Sequence, residues 1–214
     1  MRFQGFGERA VDFYEGLEAD NSRAYWQDHC ELYTEQVRAP MEALLGELED
    51  EFGKPKVFRP NRDMRFSADK TPYKTHCGGV AEGRTAAYYV QVSAHGLLVA
   101  GGYFETASDQ VQRYREAVDD EVRGRDLEQR LGMLVRGGWT IEGDRLKTYP
   151  RGYSADHPRV ELLRHRTLYS VRSWEPDDVL HRPECLARVR AAWRQLGPLG
   201  EWLGDHVGPS SQPW

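Results

Sequence analysis

The chain has 214 residues and a formal net charge of −5, with 39% hydrophobic and 29% charged residues. These values are typical of one folded globular domain and exclude a largely disordered chain. They also argue against a general nucleic-acid-binding protein, which normally carries a basic surface.

The N-terminal part of the sequence has the apolar spacing of helices. Apolar residues recur at helical intervals over residues 7–17, which predicts a first amphipathic helix. A second helix is predicted from a capping Asn21 to Gly53, because apolar residues recur there every three or four positions. Pro40 lies inside this helix and is expected to kink or restart it.

The middle of the sequence has strand signals. Three strands are predicted at residues 78–81, 86–94 and 97–104, joined as an antiparallel meander with a tight hairpin at His95-Gly96. The Gly101-Gly102 pair inside the third strand indicates a bulge or a place where another group approaches the backbone closely.

The C-terminal half mixes helices, a hairpin and a strand. In chain order, the predicted elements are a helix from Ser108 to about Val122, a helix over residues 127–136, a hairpin of residues 139–142 and 145–147, a short helix over residues 160–164, a strand over residues 167–173 and a last helix from Pro183 that Gly197-Pro198 interrupts. The whole pattern predicts an α+β fold: an antiparallel, mainly meander sheet packed with N-terminal and C-terminal helices. We expect a single domain over residues 1–203 and a flexible tail over residues 204–214.

The cysteines and the apolar runs indicate the compartment. Cys30, Cys77 and Cys185 are odd in number and widely spaced, which predicts neither a disulfide framework nor a zinc finger. No apolar run approaches the roughly 20 residues that a membrane-spanning helix needs, and no export signal is recognised. We therefore expect a cytoplasmic protein without a membrane partner. The sequence gives no indication of its oligomeric state.

Charge is concentrated in two segments. From Lys54 to Lys74 the chain holds seven Lys or Arg against two acids, a net of +5, and from Arg145 to Arg172 it again holds seven against two. Like charges are costly to gather unless something neutralises them, so two cationic segments on an acidic body predict a local anion site.

The first segment contains the stretch from Arg59 to Lys74, RPNRDMRFSADKTPYK, which has neither the helical nor the strand apolar period. Its guanidinium, ammonium and hydroxyl donors match phosphate or carboxylate oxygens. The ligand-binding residues predicted here are Arg59, Arg62, Arg65, Ser67, Lys70, Tyr73 and Lys74. Asp63 and Asp69 are candidate catalytic carboxylates; the alternative is that each orients an arginine or caps a turn.

A second candidate loop, residues 150–158, lies between two prolines. His157 is the strongest acid/base candidate because an imidazole titrates near neutral pH, and His76 is the second. Arg151 and Tyr153 are predicted to contact the ligand from this loop. No pair of potential metal ligands has a spacing that defines a site, so no metal is predicted, and the sequence does not indicate a cofactor.

A third cluster stands where the second helix begins. Asn21 and Arg23, with Trp26 three residues further on, are candidates for holding an anion at the helix N-terminus. The alternative is a capping asparagine and a core tryptophan.

Several of these features occur together. They are the string from Arg62 to Lys74, Asn21-Ser22-Arg23 with Trp26, the Gly101-Gly102 pair and residues 150–158. This combination, over roughly residues 3–203, resembles the family called domain of unknown function 2461. The resemblance implies a single soluble domain. Because that family is a set of conserved hypothetical proteins, it implies no substrate, cofactor or catalytic residue.

Three hypotheses follow for function. The first is a binding protein, or an enzyme, for a small phosphorylated or carboxylated ligand held between the two basic loops. The second is a nucleic-acid module that stacks bases on Tyr73, Tyr88 and Trp139; the acidic remainder of the chain makes it the weaker of these two. In the third, the motif is a structural ion-pair network and function resides in an interface with a protein partner.

Overall fold

The computed structural model describes residues 2–63 and 70–211. Its helices are α1 (Ala10–Ala19), α2 (Arg23–Tyr33), α3 (Ala39–Gly46), α4 (Glu49–Phe52), α5 (Ser108–Asp119), α6 (Glu121–Arg136), α7 (Val160–Leu163) and α8 (Glu184–His206). Its strands are β1 (Lys54–Val57), β2 (His76–Glu82), β3 (Ala87–Ser93), β4 (Gly96–Tyr103), β5 (Thr140–Glu142) and β6 (Leu168–Trp174). They form one antiparallel sheet in the order β1-β2-β3-β4-β6-β5. The predicted α+β class, with a central meander of β2, β3 and β4, is confirmed.

The hairpin between β3 and β4 follows the sequence signal closely. Tyr88, Val90 and Val92 are buried at every second position of β3, as the alternation predicts. At the turn, Gly96 has φ +91°, and a Cβ placed there would lie 2.3 Å from the carbonyl oxygen of Trp174. The turn therefore requires glycine for both its conformation and its space.

The second predicted helix forms, with two differences at its start and middle. Ser22, not Asn21, is the N-cap: its Oγ accepts a hydrogen bond from the Tyr25 amide at 3.1 Å. Between α2 and α3, residues 34–38 form a π-helical turn. Pro40 has no N–H to donate to the carbonyl of Gln36, and that oxygen instead accepts the amide of Gly7 at 2.9 Å. The disturbance expected at Pro40 is thus a wider helical turn.

Two compact units can be distinguished within the chain. The first comprises Met1–Glu82, Tyr89–Val99 and Ser173–Ala192, and the second comprises Gly83–Tyr88, Ala100–Arg172 and Trp193–Trp214. The core of the first is built from helix residues that are 0–1% exposed, namely Phe13, Leu17, Val37, Met41 and Leu44. The core of the second includes Val118, Leu127, Trp193 and Trp202, which are equally buried.

The C-terminal half differs from the prediction in two places. The hairpin predicted between residues 139–142 and 145–147 is wrong, because β5 pairs with β6, with Ile141 opposite Ser170. The interruption at Gly197-Pro198 is also wrong, since α8 runs for 23 residues through Pro198. Its buried apolar face continues past the proline, and that burial offsets a proline cost of about 3 kcal/mol. None of the described helices has the length and hydropathy to cross a membrane.

The described part of the C-terminal tail is attached to α5. Residues 204–206 belong to α8, and the Gly208 carbonyl then accepts the side-chain amide of Gln110 at 2.8 Å. Asp109 accepts the Ser211 amide at 2.9 Å and the Ser210 hydroxyl at 2.8 Å. These hydrogen bonds, that of the Ser211 amide first, hold the pKa of Asp109 well below its usual range.

One buried arginine connects three helices of the second unit. Arg159, 6% exposed just before α7, donates from Nε to the Val118 carbonyl at 2.7 Å and from Nη2 to the Asp119 carbonyl at 3.3 Å. It also forms an ion pair with Glu121 at 3.1 Å on α6. The last carbonyls of α5 have no partner within their own helix, so this side chain supplies the donors they need.

We expect Arg159→Met to lower the free energy of unfolding by about 1–3 kcal/mol, because buried carbonyls would lose their donors. Urea unfolding followed by circular dichroism measures the effect. Arg123→Met is the matched control, since Arg123 pairs with Asp120 but is 47% exposed, and its loss should cost at most about 1 kcal/mol. Equal effects of the two substitutions would contradict the role given to Arg159.

Candidate functional site

The basic stretch predicted from the sequence connects two paired strands of the first unit. β1 and β2 are antiparallel, with Lys54 opposite Glu82 and Val57 opposite Gly79. Beyond the strands, the two arms of the hairpin pair again: the Arg62 amide donates to the Pro72 carbonyl at 2.9 Å, and the Lys74 amide donates to the Pro60 carbonyl at 2.8 Å. The described residues of the stretch, 59–63 and 70–74, therefore form the two arms of a β-hairpin.

The pairing of the arms determines which side chains share a face. Asn61 and Tyr73 are directly opposite each other, and the hydrogen bonds lie on either side of them, so their side chains are on one face. Since neighbouring residues alternate, Arg62 and Lys74 point to the other face, and His76 shares the face of Lys74. The hairpin thus has one cationic face, defined by Arg62, Lys74 and His76.

The opposite face is anchored to the helices. Tyr73 is 8% exposed and its ring stacks on Trp26 with centroids 4.3 Å apart and planes at 11°. The Asn21 side chain donates from Nδ2 to the Tyr73 carbonyl at 3.0 Å, and its Oδ1 accepts the Tyr73 amide at 3.1 Å. Asn21 and Tyr73 were predicted to contact a ligand; instead they hold the hairpin arm, because the backbone groups of Tyr73 have no partner on the other arm.

The cations on the other face repel one another. Burial lowers the pKa of Lys74, and the nearby Arg59 and Arg62 lower it further. Burial likewise lowers the pKa of His76, and Lys74 and Arg62 add to that shift. No carboxylate is among the described groups that shift these two pKa values. Among the described residues, burial and neighbouring cations are thus the causes that lower both pKa values.

An aromatic ring lies against this cationic face, and a buried thiol lies on the opposite face of the same arm. The Lys74 ammonium is 5.3 Å from the ring centroid of Phe58. Next to His76 in sequence, Cys77 is 1% exposed, and the Tyr33 hydroxyl lies 3.9 Å from its sulfur. Burial raises the pKa of Cys77 to about 11, so it is a thiol and not a nucleophilic thiolate at neutral pH.

The remaining predicted residues of the stretch are exposed or outside the described part. Arg59, Asp63 and Lys70 are exposed on the arms, and Arg23 is exposed in the first turn of α2. Arg65, Ser67 and Asp69 lie outside the described residues, so their predicted roles stay predictions. Within the described residues, no group of three or more potential metal ligands occurs.

The second candidate loop belongs to the second unit, and its histidine has partners on both ring nitrogens. His157 Nδ1 accepts the Arg159 amide at 3.0 Å, so Nε2 carries the proton and donates to Asp119 Oδ1 at 3.0 Å. The Tyr153 ring meets the imidazole edge to face at 6.1 Å, and Arg151 is exposed. This geometry fits a role in holding the loop. Catalysis by His157 stays a prediction, as does a ligand shared by the two loops.

Arg159 and Arg166 of the second segment form ion pairs with acids that lie outside the segment, and Arg164 forms one with an acid inside it. Besides the Arg159 pair with Glu121, Arg166 pairs with Asp144, and Arg164 pairs with Glu161 at 3.0 Å. A charge count along the sequence does not include Glu121, which lies outside the segment. The two segments therefore have the same net charge in the sequence but different surroundings in the fold.

The rings proposed for base stacking are not available for it. Tyr73, Tyr88 and Trp139 are 8%, 9% and 3% exposed. Tyr88 packs against Trp193, and the Trp139 indole donates to Gln195 Oε1 at 2.9 Å. Each ring is covered by the protein itself, so the stacking role predicted for these three residues is wrong in this conformation.

The sequence was also compared with known proteins. A family model described as conserved hypothetical protein (DUF2461) matches residues 9–202. The chain belongs to this family. No curated protein and no solved structure shows significant similarity to it. Membership in this family confirms the resemblance noted from the residues around Arg62 and Lys74, and it assigns no activity.

We expect Asn21→Ala to lower the free energy of unfolding by about 1–3 kcal/mol, because two backbone groups of Tyr73 would lose their hydrogen bonds. Denaturant unfolding followed by tryptophan fluorescence also reports on the Trp26 stack. Asn61→Ala is the control, since Asn61 is exposed on the facing arm and its change should stay within about 0.5 kcal/mol. A small effect of both substitutions would show that the Asn21 clamp is dispensable.

Proposed function

We propose that the protein binds a small phosphorylated or carboxylated ligand on the cationic face of the β1–β2 hairpin, with Arg62 and Lys74 as the anion-binding groups and Arg59, which lies near Lys74, as a further cation. The observation that carries the proposal is the gathering of these cations in a half-buried place: burial first, and neighbouring cations after it, lower the pKa of Lys74 and of His76. An anion placed among them would relieve their mutual repulsion, and guanidinium groups match its oxygens with paired donors.

His76 is the group on this face that is suited to proton exchange with a ligand. Its lowered pKa keeps the imidazole neutral at pH 7, so one ring nitrogen is a free base. If the ligand is also turned over, His76 replaces His157 as the acid/base candidate. Asp63 and Asp69 stay candidate catalytic carboxylates; the alternative is that each orients an arginine, because cationic neighbours favour the ionised carboxylate.

A reducing compartment suits this function, and we propose the cytoplasm. Cys30, Cys77 and Cys185 are all free thiols. Cys30 is exposed, and an exposed free thiol is typical of compartments where glutathione keeps cysteines reduced.

Thermal unfolding in inorganic phosphate and in a panel of phosphorylated and carboxylated metabolites, at constant ionic strength, tests the proposal. We expect at least one anion to stabilise the wild type, with affinity about tenfold weaker in Lys74→Met and in Arg59→Gln, since each removes a charge-assisted contact. Lys54→Met is the matched control, because Lys54 is exposed at the far end of β1.

Equal stabilisation of the wild type and Lys74→Met by every anion would overturn the proposal. Binding of short single-stranded nucleic acid is measured in parallel over a range of salt concentrations. A steep decrease of affinity with salt, lost in Lys74→Met, would favour the nucleic-acid hypothesis instead.

The titration of His76 gives an independent prediction. Its pKa in the folded protein lies below the ordinary value of about 6.5, so the unfolded chain binds the proton more readily and stability falls as pH decreases through about 6.5. Lys74→Met should raise this pKa by removing a neighbouring positive charge, and bound phosphate should raise it as well. The imidazole carbon-bound proton signals in NMR measure both shifts; an unchanged pKa in phosphate would place the anion elsewhere.

A further inference from the structure

The second unit contains a groove of about 350 Å³ between α6, β5 and α7. Its apolar side consists of Leu131 and Val135 from α6, Ile141 from β5 and Leu162 from α7. Arg145 and His165 provide polar groups beside this apolar side. A cavity of this size with an apolar wall and a few polar groups is typical of small-molecule sites.

The backbone brings Arg145 and His165 to the same side. The two residues form an isolated antiparallel bridge. The hydrogen bonds lie on either side of them, from the Leu146 amide to the Arg164 carbonyl at 2.8 Å and from the Arg166 amide to the Asp144 carbonyl at 2.7 Å. In such a pair the Cα atoms are about 4.5 Å apart and the side chains leave the same face. A guanidinium and an imidazole are therefore neighbours at this groove.

The imidazole of His165 is fixed in one tautomer. The residue is 3% exposed, and Nδ1 lies 2.9 Å from the Thr167 carbonyl, which only accepts, so Nδ1 carries the proton. Burial lowers the pKa of His165, which leaves Nε2 unprotonated at pH 7. The protein thus orients His165 Nε2 as a hydrogen-bond acceptor, and no described residue donates a hydrogen bond to it.

The charges around the groove are uneven. Glu128 and Glu161 also line it, but each has a cationic partner: Glu128 lies 3.7 Å from Arg159, and Glu161 lies 3.0 Å from Arg164. Arg145 is exposed and forms no ion pair with any residue that the structure describes. The guanidinium of Arg145 is therefore the groove's available charge, and it matches a carboxylate.

We propose that this groove is a second ligand site, which takes a small carboxylate with a hydrocarbon or aromatic body and a hydroxyl or N–H donor. The carboxylate binds Arg145, the donor bonds to His165 Nε2, and the body packs on Leu131, Val135 and Ile141. This site is independent of the anion site proposed on the β1–β2 hairpin.

The three isomers of hydroxybenzoate are suitable probes, because they share an aromatic body and a carboxylate but differ in the distance between hydroxyl and carboxylate. Benzoate, which lacks the donor, and 4-hydroxybenzamide, which lacks the charge, are the matched comparisons. Titrations followed by NMR, with ¹⁵N detection of the His165 ring, are run on full-length Lys74→Met so that the hairpin site does not contribute. We expect a saturable shift of Nε2 with at least one isomer, and about tenfold weaker binding of both comparisons.

Gly132→Leu tests the place of binding without altering either polar group. Gly132 lines the groove from α6, and a Cβ there meets only Arg136 Nη1 at 3.4 Å, so the larger side chain extends into the groove while the helix gains stability. Gly197→Leu is the control in α8, where a Cβ meets nothing within 4 Å. We expect Gly132→Leu to abolish binding, Arg145→Gln to weaken it about tenfold and Gly197→Leu to leave it unchanged. Absence of saturable binding for all three isomers, or binding that persists in Gly132→Leu, overturns the proposal.

Discussion

The side-chain amide of Asn21 completes the hydrogen bonding of the Tyr73 backbone. This contact determines which face of the hairpin carries the candidate anion site. In the pairing of the hairpin arms, the N–H and C=O of Tyr73 point away from Asn61 and need a donor and an acceptor elsewhere. Asn21 offers both from one planar group. With Tyr73 held against Trp26, the alternation along the arm directs Lys74 and His76 outwards.

The two basic segments show why net charge along a sequence is a weak guide to electrostatics in a fold. Both sum to +5, yet Arg159 and His157 are matched by acids at the end of α5 and the start of α6. On the hairpin, the described groups that shift the pKa values of Lys74 and His76 are mainly other cations. The electrostatic argument for the anion proposed above therefore applies to the hairpin and not to residues 150–158.

The sequence predicts those parts of the fold in which local chemistry decides the outcome. The alternation in β3 and the Gly96 turn identify the central hairpin, because burial of one face and a positive φ each restrict the residue types. The interruption predicted at Pro198 is wrong because the apolar face of α8 is buried on both sides of the proline. The hairpin predicted for β5 is wrong because the strand that pairs with β5, β6, is distant in sequence. For the site, the composition of residues 59–74 predicts an anion ligand. The placement of Tyr73 and Lys74 on opposite faces follows instead from pairing between the arms and from the contact with Asn21, which no local pattern contains.

The same backbone arrangement accounts for both proposed sites. Asn61 faces Tyr73 and Arg145 faces His165 in single bridges outside the regular strands, each flanked by two hydrogen bonds. Such a bridge brings two side chains from separate segments close together. A regular pair of strands would instead place many neighbouring side chains on both faces. On the hairpin, the bridge buries Tyr73 while Asn61 stays exposed, and Arg62 and Lys74 beside them lie on the other face. Between β5 and α7 the bridge residues themselves line the groove, so the imidazole held by the Thr167 carbonyl presents its second nitrogen next to a guanidinium.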